Sequence, residues 1–368
     1  MKIRSRLLVA LLGLAIFSAC KKDIEDTVLA PSIKMANETA AINGKVNEAI
    51  TLKANNTLGN QISQEWLVNT ELKSNTGLLE FTPAKSGVYT IDYRATNSAG
   101  RYTFKYVLTV AVPEVTTTIA SNLYVTTLFE FAPSAGQFMN EAGWGNQESG
   151  KSIEGKKTTP GISLGAFGGY AVYGFDHTVI NQPEKEDVIV YGNAIASLSE
   201  PGVVWVMQDE NGNRKPDDIW YELAGSEVGK AGYVRDYSVT YTRPIPPTLS
   251  VSWKDSKGNT GIVRQSFHKY NHYPLWITAD EFTRTGTLLP SDGIKGSISA
   301  PLAFGYADNT AGGTDKVDIA NAIDKHGKKI VLKGIDFIKV QTGIMADLSI
   351  LGELSTEVTG IADISLIK

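Results

Sequence analysis

The sequence predicts an all-β protein, in which a small β-sandwich is followed by a large, jelly-roll-like β-sandwich. Three observations lead to this fold class. Short runs of alternating apolar and polar residues recur along most of the 368 residues, and such alternation is typical of half-buried strands. Turn-forming sequences such as Asn97-Ser98-Ala99-Gly100 separate the runs. Helical periodicity is nearly absent, apart from a possible helical turn at residues 277–282.

The small sandwich is predicted over residues 30–113. Its strand runs are rich in β-branched and aromatic residues, which favour strands. The clearest of them cover residues 49–53, 64–68, 87–95 and 102–110. Nothing in this segment concentrates unusual chemistry, so we expect it to act as a spacer.

The large sandwich is predicted over residues 118–368, after a linker that begins near Val112-Pro113. Glycine and aromatic residues become denser here, and strand runs continue to the end of the chain. The clearest runs cover residues 169–175, 187–191, 203–207, 237–241, 250–253 and 335–342. No repeat of fixed period is visible, which argues against a propeller.

The N-terminus predicts export from the cytoplasm. Lys2, Arg4 and Arg6 form a basic region, and residues 7–17 form an apolar region. This apolar region is too short to span a bilayer, which takes roughly 20 apolar residues. Residues 1–19 are therefore predicted to be a signal peptide.

Cys20 is the single cysteine of the chain, and it follows Phe17-Ser18-Ala19 directly. This sequence resembles a bacterial lipobox, although Phe17 stands where the lipobox usually has leucine. The resemblance implies that Cys20 is lipidated and becomes the mature N-terminus, which anchors the chain in a membrane. Residues 20–29 would then be a lipidated tether. Its Lys21-Lys22-Asp23-Ile24-Glu25-Asp26 stretch resembles the surface-export signal of Bacteroidetes lipoproteins, which implies an outer-membrane location on the extracellular side.

Composition limits the possible partners. With Cys20 lipidated, no cysteine is left for disulfides. The net charge of −4 is spread along the chain without large blocks, which argues against a nucleic-acid partner because such a partner selects a basic face. We expect a binding protein rather than an enzyme, because no nucleophile elbow, zinc-protease motif or phosphate-binding loop is present. Acidic pairs such as Asp217/Asp218 leave a glycosidase as an alternative.

One loop has the pattern of a calcium site. Oxygen-bearing side chains occupy alternate positions, and calcium takes six to eight oxygen ligands in flexible geometry. The candidate ligands are Asp209, Asn211, Asn213, Asp217 and Asp218. The spacing resembles the short calcium loops of extracellular repeat proteins, but Arg214 stands where those loops usually carry glycine. The alternative is an Asn-Gly turn that joins the 203–207 strand to residues 219–223, and both interpretations can hold together.

A second candidate site lies at residues 268–276. On a strand, His268, Tyr270 and His272 would face the same way. Tyr273 and Trp276 add rings around a proline, and exposed rings can stack on sugars or flat macrocycles. These five residues are the predicted ligand-binding set. The alternative is that the histidines are exposed or lie at the edge of the core among aromatic residues.

Residues 30–113 resemble the PKD and immunoglobulin-like modules. The resemblance is carried by Trp66, by the segment from Thr82-Pro83 to Val88-Tyr89, and by the Ala95-Thr96-Asn97-Ser98-Ala99-Gly100 turn. It implies that Trp66 is the core tryptophan of the small sandwich.

Residues from about 130 to 360 resemble an uncharacterised family of cell-surface proteins from gut Bacteroidetes. The strings that carry this resemblance include Phe131-Ala132-Pro133-Ser134-Ala135-Gly136, Glu200-Pro201-Gly202-Val203-Val204-Trp205, Phe304-Gly305-Tyr306-Ala307-Asp308-Asn309 and Leu351-Gly352-Glu353-Leu354-Ser355-Thr356-Glu357. The resemblance implies an accessory lipoprotein of corrinoid uptake. Such a protein would bind a cobamide (vitamin B12) and assist a TonB-dependent outer-membrane transporter. The alternatives are a carbohydrate-binding lipoprotein of a glycan-uptake system and a purely structural adhesin or complex subunit.

Overall fold

The computed structural model describes residues 27–265, 268 and 271–368. Within these ranges the protein is built of strands and four short 3₁₀ helices, which lie at Ser149–Ile153, Ile319–Asn321, Ser349–Leu351 and Ile364–Leu366. None of the described helices is long and apolar enough to cross a membrane. Over the described residues the chain folds as two compact units, of which the first comprises residues 27–42, 50–81 and 89–108 and the second comprises residues 43–49, 82–88 and 109–368. The predicted all-β class is confirmed.

The N-terminal module has eight strands in two sheets. The strands are β1 (Ile33–Met35), β2 (Ala41–Lys45), β3 (Ile50–Asn56), β4 (Ser63–Val68), β5 (Glu71–Ser74), β6 (Leu78–Phe81), β7 (Gly87–Asn97) and β8 (Gly100–Ala111). One sheet has the order β1-β3-β6 and the other has the order β2-β8-β7-β4-β5. Trp66 of β4 is completely buried, and its ring lies 4.7 Å from that of Tyr93 and 6.3 Å from that of Tyr106.

The large domain contains the remaining strands. They are β9 (Thr127–Ala132), β10 (Ile162–Ser163), β11 (Tyr170–Ile180), β12 (Val188–Tyr191), β13 (Gly202–Met207), β14 (Tyr221–Leu223), β15 (Val234–Thr242), β16 (Val251–Asp255), β17 (Thr260–Val263), β18 (Glu281–Leu288), β19 (Ile294–Lys295), β20 (Ile298–Ser299), β21 (Tyr306–Ala307), β22 (Thr314–Val317), β23 (Ala322–Ile323), β24 (Gly334–Thr342), β25 (Glu357–Val358) and β26 (Gly360–Asp363).

A seven-stranded sheet forms the centre of this domain. Its order is β23-β14-β13-β24-β11-β9, and β21 also pairs with β13. One face of this sheet packs against the β22-β12-β26 sheet through a shared apolar core, to which Tyr173, Val204, Ile338, Val190 and Ile361 contribute. Two sheets that bury their apolar faces against each other form a sandwich.

A four-stranded sheet, β17-β16-β15-β18, has its own core around Tyr237, Val239 and Tyr241. It is joined to the seven-stranded sheet by Gln341 of β24, whose Nε2 donates hydrogen bonds to the Thr285 carbonyl of β18 at 3.0 Å and to the Gly168 carbonyl at 2.9 Å. The outer face of the seven-stranded sheet and β18 therefore lie next to each other.

Every strand run predicted from the sequence overlaps an observed strand. The predicted hairpin is also present, because β13 pairs antiparallel with β14. The helical turn at residues 277–282 is wrong: β18 begins at Glu281, and residues 277–280 lie in a loop. Phe282 packs against Tyr241 of the neighbouring strand instead, so strand pairing prevails over a weak local preference.

Candidate functional site

A row of side chains crosses the outer face of the seven-stranded sheet. Strand pairing places Lys339 of β24 between Val172 of β11 and Trp205 of β13. The residues on either side of these three lie in the apolar core. Because successive side chains of a strand point to opposite faces, all three point away from that core. The row continues to Glu130 of β9 and Glu222 of β14.

Lys339 is surrounded by aromatic rings. Its Nζ lies 4.6 Å from the ring centroid of Trp205, 5.1 Å from that of Trp220 and 5.8 Å from that of Tyr170. A cation within about 6 Å of a ring face is attracted by the ring quadrupole. The three rings therefore hold the ammonium group in place on the sheet.

The space around Lys339 is a groove of about 370 Å³, which we call the aromatic groove. It is lined by Glu130, Tyr170, Val172, Trp220, Thr283, Arg284, Thr285, Lys339 and Gln341. Tyr170 donates a hydrogen bond to Glu130 at 2.7 Å. Arg284 is fixed by hydrogen bonds from its Nε to the carbonyl of Ala132 and from its Nη2 to the carbonyl of Pro133. The wall is therefore positioned before any ligand arrives.

Two buried polar atoms in or beside the groove, Oε1 of Gln341 and Nε1 of Trp205, have no hydrogen-bond partner among the described residues. A buried polar group without a partner costs roughly 1–3 kcal/mol, so each such group calls for an explanation. Gln341 lines the groove, and its unpartnered Oε1 packs against Gly286 of β18.

Burial lowers the pKa of the Lys339 ammonium to about 8, although the carboxylates of Glu130 and Glu222 oppose that shift. We expect the ¹³Cε resonance of Lys339 to titrate near pH 8, well below the other lysines, in an NMR titration assigned with Lys339→Met. Lys339 loses its proton near pH 8 in the folded chain but only near pH 10.4 in the unfolded chain. Between pH 8 and about pH 10.4, the unfolded state therefore binds more protons than the folded state. The stability of the wild type relative to Lys339→Met should therefore rise from pH 8 to 10. Titration of Lys339 together with the other lysines would contradict this prediction.

A second site is a group of buried carboxyl groups. Glu200 precedes β13, Asp308 follows β21 and Glu357 lies in β25. One oxygen atom from each of the three lies within 4.8 Å of the others. Asp308 Oδ1 accepts hydrogen bonds from the amides of Asn193 at 2.8 Å and Ala194 at 2.9 Å, and its Oδ2 accepts one from the Glu357 amide at 2.9 Å.

These carboxyl groups, together with Glu353, titrate abnormally. Burial raises the pKa of Asp308 to about 8, and the charge of Glu200 adds to the shift. Burial also raises the pKa of Glu353 to about 8. The pKa of Glu357 is raised well above its ordinary value by burial and then by the charges of Glu200 and Asp308. Without a positive charge nearby, this group therefore retains protons at neutral pH.

The carboxyl groups adjoin a cavity of about 230 Å³, which we call the acidic cavity. It is lined by Gln137, Phe138, Asn193, Leu198, Glu200, His268, Leu348, Leu351, Glu353 and Glu357. The Phe138 ring lies 4.9 Å from that of Trp144 and 4.6 Å from that of His268. Asn193 and Leu351 are exposed, so the cavity extends from the protein surface to the carboxyl groups.

The structure places the predicted ligand-binding residues in different environments. His268 lines the acidic cavity and lies 3.6 Å from Glu141. His272 is completely buried, and burial lowers its pKa. Tyr273 is also buried and donates a hydrogen bond to the Ala279 carbonyl. Trp276 is half-buried, and Tyr270 lies outside the described residues.

The described part of segment 268–276 lies outside every strand. Asn140 fixes it through a hydrogen bond from Nδ2 to the Tyr273 carbonyl and another that its Oδ1 accepts from the Leu275 amide. Of the predicted set, the structure brings His268 to a cavity, whereas His272 and Tyr273 are within the protein interior.

The predicted calcium loop is a hydrogen-bonded turn. Asp209 accepts hydrogen bonds from the amides of Asn213 and Arg214, and Asn211 accepts one from the amide of Asn213. Both oxygens of Asp217 accept hydrogen bonds from the side-chain amides of Asn211 and Asn213. These amide groups lower the pKa of Asp217.

The fifth candidate ligand, Asp218, accepts a hydrogen bond from the Glu210 amide at 2.9 Å. Arg214 adopts a left-handed conformation with φ of 58°, which is the conformation that favours glycine. Its guanidinium lies 3.2 Å from Asp336. Calcium binding by this loop stays a prediction, and so does lipidation of Cys20, which lies outside the described residues.

A larger cavity, of about 730 Å³, lies in the N-terminal module. It is lined by uncharged, non-aromatic residues, which are Thr27, Val28, Leu29, Leu58, Asn60, Gln61, Ile62, Ser63, Thr96, Asn97 and Ser98. Its size alone does not make it a site, because a binding site combines apolar walls with a few convergent polar or titratable groups. The aromatic groove and the acidic cavity meet that description better.

The sequence analysis did not single out either site. Trp205 enters that analysis only through the 203–207 strand run and a string that carries a resemblance, and Lys339 only through the 335–342 strand run. In the sequence, Lys339 is distinguished as a charged residue between the apolar residues Ile338 and Val340. The signal for the acidic cavity was the presence of Glu200, Asp308, Glu353 and Glu357 in otherwise apolar or glycine-rich strings.

Comparison with known proteins identifies no family. No family model matches the chain, and no curated protein matches it. The resemblances to PKD modules and to corrinoid-uptake lipoproteins therefore stay predictions.

Solved structures give distant similarities. A quinoprotein alcohol dehydrogenase-like protein from Bacteroides thetaiotaomicron is 11% identical with a TM-score of 0.23, and the match covers 67% of this chain and 51% of that one. The chain thus spans about half the length of that protein. The fibronectin(III)-like modules of Clostridium thermocellum CbhA are 11% identical with a TM-score of 0.21, covering 62% and 89% of the two chains. A SusE-like protein is 10% identical with a TM-score of 0.15, covering 88% and 95%. Similarity at this level carries no argument about function.

Proposed function

We propose that the chain is a surface lipoprotein whose large domain binds an extracellular carbohydrate in the aromatic groove. The observation that carries the proposal is the arrangement around Lys339, where three aromatic rings surround one ammonium group on a strand-supported face. Aromatic faces stack on the apolar C–H faces of sugars, and adjacent cations and amides bind sugar hydroxyl groups.

The charges of the groove favour a glycan with acidic groups. Lys339 and Arg284 contribute two cations, whereas Glu130 contributes one carboxylate. Sugar carboxylates or sulfates would form charge-assisted hydrogen bonds with these cations. The groove volume of about 370 Å³ lies toward the lower end of small-ligand sites, which span roughly 300–1,000 Å³. A short segment of a glycan, rather than a whole oligosaccharide, would occupy it.

A cobamide is the ligand that the family resemblance implies, and a neutral imidazole of the predicted ligand-binding set could coordinate the cobalt of such a ligand. The fully buried ring of His272 would have to leave the protein interior to take that role, whereas His268 is partly accessible. The groove requires no such rearrangement. The carbohydrate proposal therefore uses side chains that already face one groove, whereas His272 and Tyr273 of the predicted ligand-binding set are buried.

The proposal is tested on the soluble chain, residues 21–368. A glycan array that contains neutral, uronic-acid and sulfated oligosaccharides selects a ligand, and calorimetry at pH 7 measures its affinity. We expect Trp220→Ala to weaken binding at least about tenfold, which is 1.4 kcal/mol. The matched control is Trp276→Ala, because Trp276 is also a half-buried tryptophan but lies in the 268–276 segment.

Two outcomes would contradict the proposal. Loss of binding in Trp276→Ala with full binding in Trp220→Ala would move the site to the 268–276 segment. Saturable binding of cyanocobalamin, without binding of any glycan, would favour the corrinoid-uptake function. Thermal unfolding of each variant verifies that the domain remains folded.

A further inference from the structure

We propose that Glu200, Asp308 and Glu357 form a binding site for Ca²⁺ at the end of the acidic cavity. This site is separate from the aromatic groove and from the Asp209 loop. The three residues are distant in sequence, and the fold brings an oxygen atom of each to within 4.8 Å of the other two.

The spacing of the three oxygens suits a calcium ion. Calcium–oxygen distances are about 2.3–2.6 Å, so two ligands on opposite sides of one ion lie up to roughly 5 Å apart. A mutual separation within 4.8 Å therefore allows all three carboxylates to reach one ion. The donor set consists of oxygen atoms alone, which suits calcium better than zinc or copper.

Two buried carboxylate oxygens that line the cavity have no hydrogen-bond donor in the described part of the chain, although the Glu357 side chain also contacts those of Glu200 and Ser355. Glu357 Oε1 and Glu353 Oε2 are buried without a hydrogen-bond partner among the described residues. The Glu357 and Glu353 residues are only 2% and 5% exposed, and both line the acidic cavity. Glu353 is not one of the three clustered carboxylates, so its unpartnered Oε2 is an independent sign of an unfilled polar position along the acidic cavity.

The backbone around the site is shaped to hold the carboxyl groups. A Cβ atom on Gly192 would lie 2.3 Å from Asp308 Oδ1, and one on Gly136 would lie 2.9 Å from Glu353 Oε1. Glu353 Oε1 also accepts a hydrogen bond from the Gln137 amide at 2.6 Å. Each carboxylate oxygen has two lone pairs. Asp308 Oδ1 accepts two amide hydrogens, so Oδ2, which accepts one, is the Asp308 oxygen that can still coordinate an ion.

An ion can reach the site and complete its coordination there. The cavity of about 230 Å³ includes the exposed residue Asn193 as well as Glu200 and Glu357. Its polar wall suits ordered water, and water is a common calcium ligand. The bound ion would join the segments that contain residues 200, 308 and 357, and we expect it to stabilise the folded domain.

Calorimetry on the chelator-treated chain, residues 21–368 at pH 7, tests the proposal with CaCl₂ as the titrant. We expect one equivalent to bind at this site, beyond any that the Asp209 loop binds. The midpoint of thermal unfolding should rise by about 5–10 °C when calcium exceeds Kd about 100-fold. Glu357→Gln should bind calcium at least about tenfold more weakly and lose this rise. The glutamine side chain has the shape of a neutral glutamic acid side chain. The hydrogen bond from the backbone amide of residue 357 to Asp308 is retained in this variant. Glu200→Gln is the second variant, in case Glu357→Gln does not fold.

Two controls separate the alternatives. Asp187→Asn removes a buried carboxylate outside the site and should keep the full response to calcium. Asp217→Asn removes a carboxylate of the Asp209 loop and should also keep it. The proposal is overturned if the wild type binds no calcium at millimolar concentration. It is also overturned if Glu357→Gln binds as well as the wild type, or if binding is lost in Asp217→Asn and kept in Glu357→Gln.

Discussion

Asp308→Ala is expected to lower the free energy of unfolding by at least about 3 kcal/mol in the presence of a calcium chelator. The Asp308 carboxyl group accepts hydrogen bonds from the backbone amides of Asn193, Ala194 and Glu357. Asp308 is completely buried, and so are Ala194 and Glu357, whereas Asn193 is exposed. The Ala194 and Glu357 amides therefore carry most of the expected loss. Each buried amide that loses its acceptor costs roughly 1–3 kcal/mol.

The backbone of Asp308 adds to this expected loss. Its φ is 48°, a left-handed conformation that aspartate and asparagine tolerate better than alanine does. Asp308→Asn should therefore lie between the wild type and Asp308→Ala, because asparagine keeps one acceptor oxygen and the same tolerance for this backbone.

Urea unfolding, monitored by near-UV circular dichroism, measures the difference through a shift of the midpoint at constant slope. The matched control is Asp318→Ala. Asp318 is the N-cap of a 3₁₀ helix and accepts a hydrogen bond from a single amide, that of Ala320, so its replacement should cost about 1 kcal/mol. Equal losses for the two variants would mean that the Asp308 contacts contribute little to stability.

The sequence predicts strands well in this protein, because local alternation determines which residues can be half-buried. Residues 335–342 alternate in part, whereas residues 203–207 form a continuous apolar run rich in β-branched and aromatic residues, and both are observed as strands. Their partnership within one sheet was not predicted. The pairing of Trp205 with Lys339 joins positions more than one hundred residues apart, and no local pattern encodes it.

The candidate sites depend on that long-range pairing, which explains why the sequence did not identify them. Lys339 becomes the centre of a groove only when β13 and β11 flank β24. Glu200, Asp308 and Glu357 converge only when β13, β21 and β25 have taken their positions. Segment 268–276, in contrast, was selected for its local composition, and local composition does not tell whether a ring such as that of His272 is exposed or buried.

Trp66→Ala is expected to destabilise the N-terminal module by about 3–5 kcal/mol, the usual cost of replacing a large buried aromatic residue with alanine. Trp66 is completely buried and packs against Tyr93 and Tyr106. Domains are stable by only about 5–15 kcal/mol, so this loss is a large fraction of the total.

Hydrogen exchange in the full soluble chain measures the effect on peptides from β7 and β8. If these strands exchange through unfolding of the module, their protection should fall about 10²–10³-fold or more, since each 1.4 kcal/mol is a factor of ten. Trp144→Ala, which replaces a half-buried tryptophan of the large domain, is the matched control and should leave these peptides unchanged.

Trp66→Phe should cost much less than Trp66→Ala. The Trp66 Nε1 atom is buried without a hydrogen-bond partner among the described residues, so phenylalanine removes an unsatisfied donor while it keeps much of the ring packing. Unchanged exchange in Trp66→Ala would show that the core of the module does not depend on its tryptophan.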